Sequence, residues 1–353
     1  MERREIRFGV VGLGMGKHHC MAINKAEGCQ LVAICDTDPE RLNPVAEQYK
    51  IKAYDSYAEM LGSDEIDAVS IATPSGMHVD MGLEAVAAGK HLIVEKPVDV
   101  DVAKINQLAK AVRDAGLKAA AIFQSRTEPL NKRLKAAIDQ GRLGTMVGVH
   151  AVLPWFRKQT YYQGPHGSWK GTWAMDGGGS LMNQGVHTVD LLQWLGGRVK
   201  SVFGAFGVYA HEIEAEDKAV AVLKFENGAL GTLTTTTAAY GGDTQIFVIH
   251  GDKGTVQKSG ELRSWKFLDD QEGKEEKELM AVYGPKDKKP EGPSTASDPM
   301  AVGSSGHQFE AEDLAKAIWE DRDPYITIES ATHAVEIINA IYESGRIGKE
   351  VAI

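Results

Sequence analysis

Two residues carry the chemistry this sequence can be expected to perform. Lys96 stands in Glu95-Lys96-Pro97, directly after the apolar run His91-Leu92-Ile93-Val94. A lysine at the carboxyl end of a strand sits where open α/β sheets hold their ligands. Partial desolvation and a neighbouring positive charge would lower its pKa there, and its ammonium could hydrogen-bond a reacting oxygen. His187 lies in a helix pattern, Ser180 to Leu195, that follows Gly177-Gly178-Gly179. Spacings of four and three place Asn183, His187 and Asp190 on one helix face. An imidazole can exchange a proton near neutral pH. Asn183 can orient a hydroxyl, and Asp190 either orients His187 or caps local structure.

A glycine turn upstream suggests what these groups work beside. The strand pattern Ile6-Val11 runs into Gly12-Leu13-Gly14-Met15-Gly16 and then a helix-like stretch from Lys17 to Ala26. Such a turn directs backbone N–H groups and a helix N-terminus at a pyrophosphate, although Gly16 comes one residue early for the usual spacing. Asp36 ends the second strand pattern, where a carboxylate binds ribose hydroxyls and repels a 2′-phosphate. Thr37 rather than an arginine follows it, so NAD is expected over NADP. Hydride transfer, with proton removal by Lys96 or His187, is the chemistry that this set supports.

The elements needed to position these residues can be read from the pattern. Five apolar runs (Ile6-Val11, Leu31-Cys35, Ala68-Ala72, His91-Val94 and Ala119-Phe123) alternate with helix patterns, which predicts a parallel sheet covered on both faces. Pro44 conflicts with a helix begun at Asp38, and a start with Asn43 as cap and Pro44 in the first turn resolves the conflict. After Phe123 come a helix over 129–140 and a strand over 146–153. An irregular segment, 154–179, holds Arg157, Tyr161, Tyr162, Trp169, Lys170 and Trp173. Aromatic faces stack on sugar rings and Arg or Lys can hold a carboxylate or phosphate; the alternative is an aromatic-packed loop. Strands follow over 199–209, 218–225, 229–237, 245–250 and 254–257, joined by short turns, so this sheet should be largely antiparallel. The Pro-, Lys- and Gly-rich stretch 284–306 reads as a surface loop, and helices over 307–320 and 329–344 close the chain.

With 353 residues, two domains are expected, over 1–123 and 124–353. A net charge of −10 argues against nucleic acid as a partner. Cys20, Cys29 and Cys35 lack metal-ligand spacing and read as buried thiols. No stretch has the length and apolarity of a membrane span or a signal core, so a cytoplasmic protein is expected.

At these residues the chain resembles the Gfo/Idh/MocA oxidoreductase family over nearly its full length. The resemblance rests on Gly12-Leu13-Gly14 with His19, Ala72-Thr73-Pro74-Ser75-Gly76-Met77-His78, Ala88-Gly89-Lys90-His91, Glu95-Lys96-Pro97, and Gly177 through Asp190. It implies a Rossmann domain followed by an α+β domain with a large, mostly antiparallel open sheet, whose outer face mediates homodimers or homotetramers. It also implies NAD contacts at Gly12, Leu13, Gly14, Met15, Asp36, Thr73, Pro74, His78, Glu95 and Lys96, a cis bond at Pro97, and catalysis without a metal. Lys96, Arg157, Tyr161, Trp169, Lys170, Trp173, Asn183 and His187 are the expected sugar contacts. The segment Trp169 to Gln184 is similar to the branch containing UDP-N-acetylglucosaminuronate 3-dehydrogenases, where an arginine commonly replaces Lys170. The implied reaction is hydride removal from a secondary sugar hydroxyl, with C3 of a nucleotide-linked amino sugar or uronate as the candidate position. Three other readings stay open: a free-sugar or glycoside 3-dehydrogenase, a redox-neutral NAD-dependent glycoside hydrolase, and a non-enzymatic NAD-binding sensor.

Overall fold

A computed structural model describes residues 4–164, 166–242, 244–286 and 305–353. In chain order the strands are β1 (Ile6–Val11), β2 (Cys29–Cys35), β3 (Lys52–Tyr54), β4 (Ala68–Ile71), β5 (His91–Val94), β6 (Ala119–Ala121), β7 (Met146–Pro154), β8 (Val199–Gly207), β9 (Lys218–Phe225), β10 (Leu230–Thr236), β11 (Ile246–Gly251), β12 (Gly254–Ser259), β13 (Glu261–Phe267) and β14 (Val351–Ala352). The α-helices are α1 (Gly16–Ile23), α2 (Pro39–Tyr49), α3 (Tyr57–Leu61), α4 (His78–Ala87), α5 (Val102–Asp114), α6 (Pro129–Asp139), α7 (Val186–Gly196), α8 (Lys274–Tyr283), α9 (Ser305–Glu320) and α10 (Ile328–Ile347).

The chain divides into two compact units. One takes residues 4–124, 174–176 and 305–332. Its sheet is all parallel, in the order β3-β2-β1-β4-β5-β6. The order reverses between β1 and β4, and ligands of such sheets bind at the carboxyl ends beside that switch. Strands β1, β4, β5 and β6 bury nearly every residue, as a sheet with two covered faces requires, while the edge strand β3 exposes two of its three.

The expected division at 123/124 differs from these units, because residues 174–176 and the described residues of 305–332 group with the first unit. Helix α9, expected with the second domain, belongs to the first unit. Its Ala311, Leu314 and Ala315 enter the same core as Ile23 and Ile34, and Trp319 lies over Gly28, where a side chain would collide with the indole. Most of the expected loop over 284–306 falls on 287–304, outside the described residues.

Helix α2 corrects the expected start at Asn43. It begins at Pro39, with the Asp38 side chain accepting the Glu40 N–H, and Pro44 lies inside the helix. Asp38 with Pro39 offers both a cap and a pre-set first turn, and the helix begun there buries Leu42 with Val45. The hydrogen bond that Pro44 cannot donate is the local cost.

The second unit takes the described residues of 125–173, 177–286 and 333–353. Its eight-stranded sheet has the order β13-β12-β11-β7-β10-β9-β8-β14 and is antiparallel except where β7 pairs with β10. Strands β9 and β10 alternate buried and more exposed residues, so one face of this sheet is covered and the other open. The pattern-based reading passes over β3, β13 and α8. All three thiols are buried, and burial pushes Cys35 up to about 11 and Cys20 and Cys29 up to about 12, so they are inert near neutral pH. Among the described residues no helix is long and apolar enough to cross a membrane.

Candidate functional site

Three glycines shape the end of β1. Gly12 has φ +86°, and a Cβ on it would lie 2.7 Å from the Ala72 carbonyl oxygen, so the turn admits no side chain there. A Cβ on Gly16 would stand 3.0 Å from Val10 Cγ1, and its absence lets α1 settle on β1. Gly14 is open: only a guanidinium nitrogen of Arg41 comes within 4 Å of its Cβ position, at 3.6 Å. A tight turn, an open middle and a close helix contact are the features a bound pyrophosphate needs, and α1 opens directly behind them. The early Gly16 is therefore accommodated by a helix that starts on it.

Asp36 ties this turn to the end of β2. One carboxylate oxygen accepts the Leu13 N–H at 2.7 Å and the other accepts the Asp38 N–H at 2.9 Å. Each oxygen keeps acceptor capacity for ribose hydroxyls. The turn and the carboxylate thus fit a dinucleotide. Arg41, which the sequence reading passed over, brings a cation to the open side of Gly14, and its only local signal is a position five residues after Asp36.

The loops after β4 and β5 complete this face of the first unit. Thr73 and Pro74 follow β4, and Thr73 Oγ1 donates to Met81 Sδ at 3.4 Å. His78, expected as a cofactor contact, is buried, with its ring nitrogens 2.7 Å from the Pro97 carbonyl oxygen and 2.8 Å from that of Thr73. It clamps the two loops together. Lys96 is half-buried just past β5, and the Lys96–Pro97 bond is cis. Glu95 is buried, and its Oε2 accepts the Lys96 backbone N–H at 2.8 Å. Burial works to raise the Glu95 carboxyl, but hydrogen bonds from His19 and His307 outweigh it and hold the group well below the usual range. His307 approaches Glu95 from α9, 212 residues away in the chain, and sequence offers no sign of it. The nitrogens of His19 and His307 and the Glu95 oxygen lie within 4.8 Å of one another, a metal-capable grouping that the expectation of no metal did not foresee.

In the second unit, the glycine segment leads to a single π-helical turn, Ser180–Gln184, and then to α7. This corrects the expected single α-helix: Asn183 stands in the π turn and His187, half-buried, in the first turn of α7. Buried Glu216 fixes the turn. Its carboxylate accepts the backbone N–H groups of Gly179, Ser180 and Leu181, the Ser180 hydroxyl and the Tyr342 hydroxyl, at 2.5 to 3.1 Å. Asp190 does not serve His187 in this arrangement. Its carboxylate is engaged by the Arg126 guanidinium through two hydrogen bonds, one of 2.8 Å to Nε, and both side chains are buried.

Most of the expected sugar contacts converge around Tyr161. Its hydroxyl donates to Asn183 Oδ1 at 3.2 Å and accepts from Gln184 Nε2 at 2.9 Å. Arg157, only 2% exposed, donates to Gln184 Oε1 at 2.6 Å and lies over the rings of Trp155 and Tyr161. Lys170 Nζ sits 3.9 Å from the Tyr161 ring centre and 5.9 Å from that of Trp169. Arg157 is thus an internal brace for Gln184, whereas Tyr161, Lys170 and Asn183 make the polar surface. Trp173 lies apart from this group, edge-on to Phe206 and Tyr342 and under the Arg346 guanidinium.

Comparison with known proteins identifies the family and the fold. Residues 6–123 match the family model described as the oxidoreductase family, NAD-binding Rossmann fold, and residues 131–257 match the GFO/IDH/MocA C-terminal domain. The chain is similar to the WlbA dehydrogenase of Bordetella pertussis, crystallised with NADH and UDP-GlcNAcA, at 31% identity and TM-score 0.86, covering 99% of each chain. It is also similar to the WlbA dehydrogenase of Chromobacterium violaceum with the same ligands, at 29% identity and TM-score 0.87, covering 100% of this chain and 97% of that one. A scyllo-inositol 2-dehydrogenase (NAD(+)) of Bacillus subtilis is 28% identical over 265 residues, 71% of this chain and 73% of the relative.

Proposed function

From its membership of the GFO/IDH/MocA oxidoreductase family, in which it is an NAD-dependent sugar dehydrogenase, we propose that this chain oxidises a secondary hydroxyl of a nucleotide-linked amino sugar or uronate, at C3. The observation that carries the substrate class is likeness over the whole chain to two dehydrogenases crystallised with UDP-GlcNAcA. In this reading the backbone of Gly12, Leu13, Gly14 and Met15 holds the pyrophosphate, Asp36 holds the adenosine ribose, and Thr73, Pro74 and Glu95 border the rest of the cofactor. NAD, when bound, supplies the hydride acceptor. His187 takes the hydroxyl proton, and Lys96 donates a hydrogen bond to the same oxygen as it becomes a carbonyl. Asn183 and Tyr161 orient neighbouring hydroxyls, and Lys170 with Trp169 faces the acidic or aromatic part of the substrate. The chain works as a homodimer or homotetramer.

One observation favours a second reading, a dehydrogenase of free sugars or glycosides. Lys170 rests on the Tyr161 ring, and an ammonium cannot grip a phosphate or carboxylate through two parallel hydrogen bonds as an arginine can. A single-turnover absorbance assay for NADH separates the readings. Purified protein and NAD would be mixed with UDP-N-acetylglucosaminuronate, UDP-N-acetylglucosamine, glucose, inositol and simple glycosides. NADH formed with the UDP-sugars alone is the expected result. A signal confined to free sugars moves the assignment to the second reading. Silence toward every compound, despite NAD binding, leaves an untested sugar, a redox-neutral hydrolase and a sensor as the readings.

A further inference from the structure

Four titratable side chains are sealed inside the first unit behind Lys96. His19, Glu95, His307 and Glu310 are each at most 6% exposed. Glu95 Oε1 receives His19 Nε2 at 3.0 Å and His307 Nε2 at 3.4 Å, and the two rings are 4.8 Å apart. His19 Nδ1 meets Ser70 Oγ at 2.7 Å, so a serine hydroxyl donating there leaves Nε2–H to face Glu95. The second Glu95 oxygen holds the Lys96 N–H. A buried carboxylate is costly unless donors surround it, and these three supply that need from three separate places in the chain.

The remaining groups around the bridge leave Glu95 as its anion. Glu310 accepts the Phe123 N–H at 3.1 Å, while burial and the charge of Glu95 raise its carboxyl well above the usual range. Asp313 acts on Glu310 in the same sense. His18 stands nearby, with its pKa lowered by burial and by His307, and burial likewise lowers that of His19. His307 therefore adds a second imidazole donor to the oxygen that His19 already meets, and brings it from α9, the helix whose Glu310 accepts the Phe123 N–H just beyond β6.

We propose that His307 is a positioning residue for Lys96: with His19 it holds the Glu95 carboxylate, which in turn fixes the Lys96 backbone at the end of β5. The inference rests on the reading of Lys96 as the group that meets the reacting oxygen. A glutamine at 307 keeps an N–H donor within reach of Glu95, whereas an alanine removes it.

The test uses the full-length protein with the sugar found by the NADH assay, comparing His307→Ala, His307→Gln and Lys96→Met. His307→Ala should lower kcat by about tenfold or more and move the acidic limb of its pH profile, with sugar KM and the fluorescence-derived NADH Kd changed less than about twofold. His307→Gln should restore kcat to within about threefold of the parent protein. The proposal is overturned if His307→Gln fails to rescue at parental Tm, or if kcat, NADH affinity and Tm fall together in His307→Ala. It is also overturned if the metal-stripped parent takes up one zinc ion per chain and His307→Gln does not, since the bridge would then be a cation site. Parental turnover in Lys96→Met, whatever His307 does, removes the premise about Lys96 instead.

Discussion

Arg126 and Asp190 are the pair on which single-residue energetics can be tested most directly. The guanidinium and carboxylate meet through two hydrogen bonds with no exposure worth noting, so each neutralises a charge that water cannot reach. Removing one partner strands the other. Arg126→Met should therefore cost about 3–5 kcal/mol, while the double variant Arg126→Met/Asp190→Leu should recover most of that loss. Chemical denaturation of the three proteins checks this, and equal losses in the single and double variants would show that packing, not charge, dominates. The same pair bears on the first of the two roles that the sequence leaves open for Asp190. Helical spacing places Asp190 near His187, but spacing says nothing about a cation arriving from 64 residues away.

At the scale of elements, Glu216 does for the segment 177–184 what a hydrogen-bonded neighbour does for a strand. The π turn leaves N–H groups without ordinary helical partners, and the carboxylate collects three of them along with two hydroxyls. A glutamine would present an amide N–H₂ to some of these donors. Glu216→Gln should lose roughly 3 kcal/mol or more and become protease-sensitive near Gly177, whereas Tyr342→Phe, deleting one donor, should lose about 1–2 kcal/mol. Thermal unfolding and limited proteolysis would show the contrast; equal effects would mean that Tyr342, not the carboxylate, anchors the turn. What sequence conveyed at this scale was local. The glycine turn, Asp36, and Lys96 after an apolar strand each sit within a few residues of the pattern that announces them. Glu216, Arg126 and His307 were illegible because each acts on a segment that only tertiary folding brings to it. The start of α2 failed for another reason: two valid rules competed at Asp38 and Pro44, and burial of Leu42 decided between them.

The whole molecule adds a surface that no single element explains. On the open face of the second sheet, Phe203, Val222, Thr232, His150 and Val248 stand in register across five strands, with Val220, Leu230 and Ile246 beside them. Phe203, Val220, Val222, Leu230 and Ile246 are each 38–56% exposed, an apolar patch of the kind that marks an interface. His150 and His250 stack near its middle at 5.5 Å, and burial, then His250, already lowers the His150 pKa. If a second copy covers this face, desolvation will lower it further, because the charged form is the one disfavoured. The sign follows: a group depressed further in the assembly adds no penalty above its single-chain pKa, which already lies below the ordinary histidine value near 6.5, and opposes assembly as pH falls through it. Light scattering should thus give a mass at least twice 38.2 kDa at pH 8, weakening toward pH 5.5. Val222→Lys, which sets an ammonium into the apolar row, should yield the 38.2 kDa species at micromolar concentration even at pH 8. A parent protein that already runs at the single-chain mass would show that the exposed row serves something other than self-assembly.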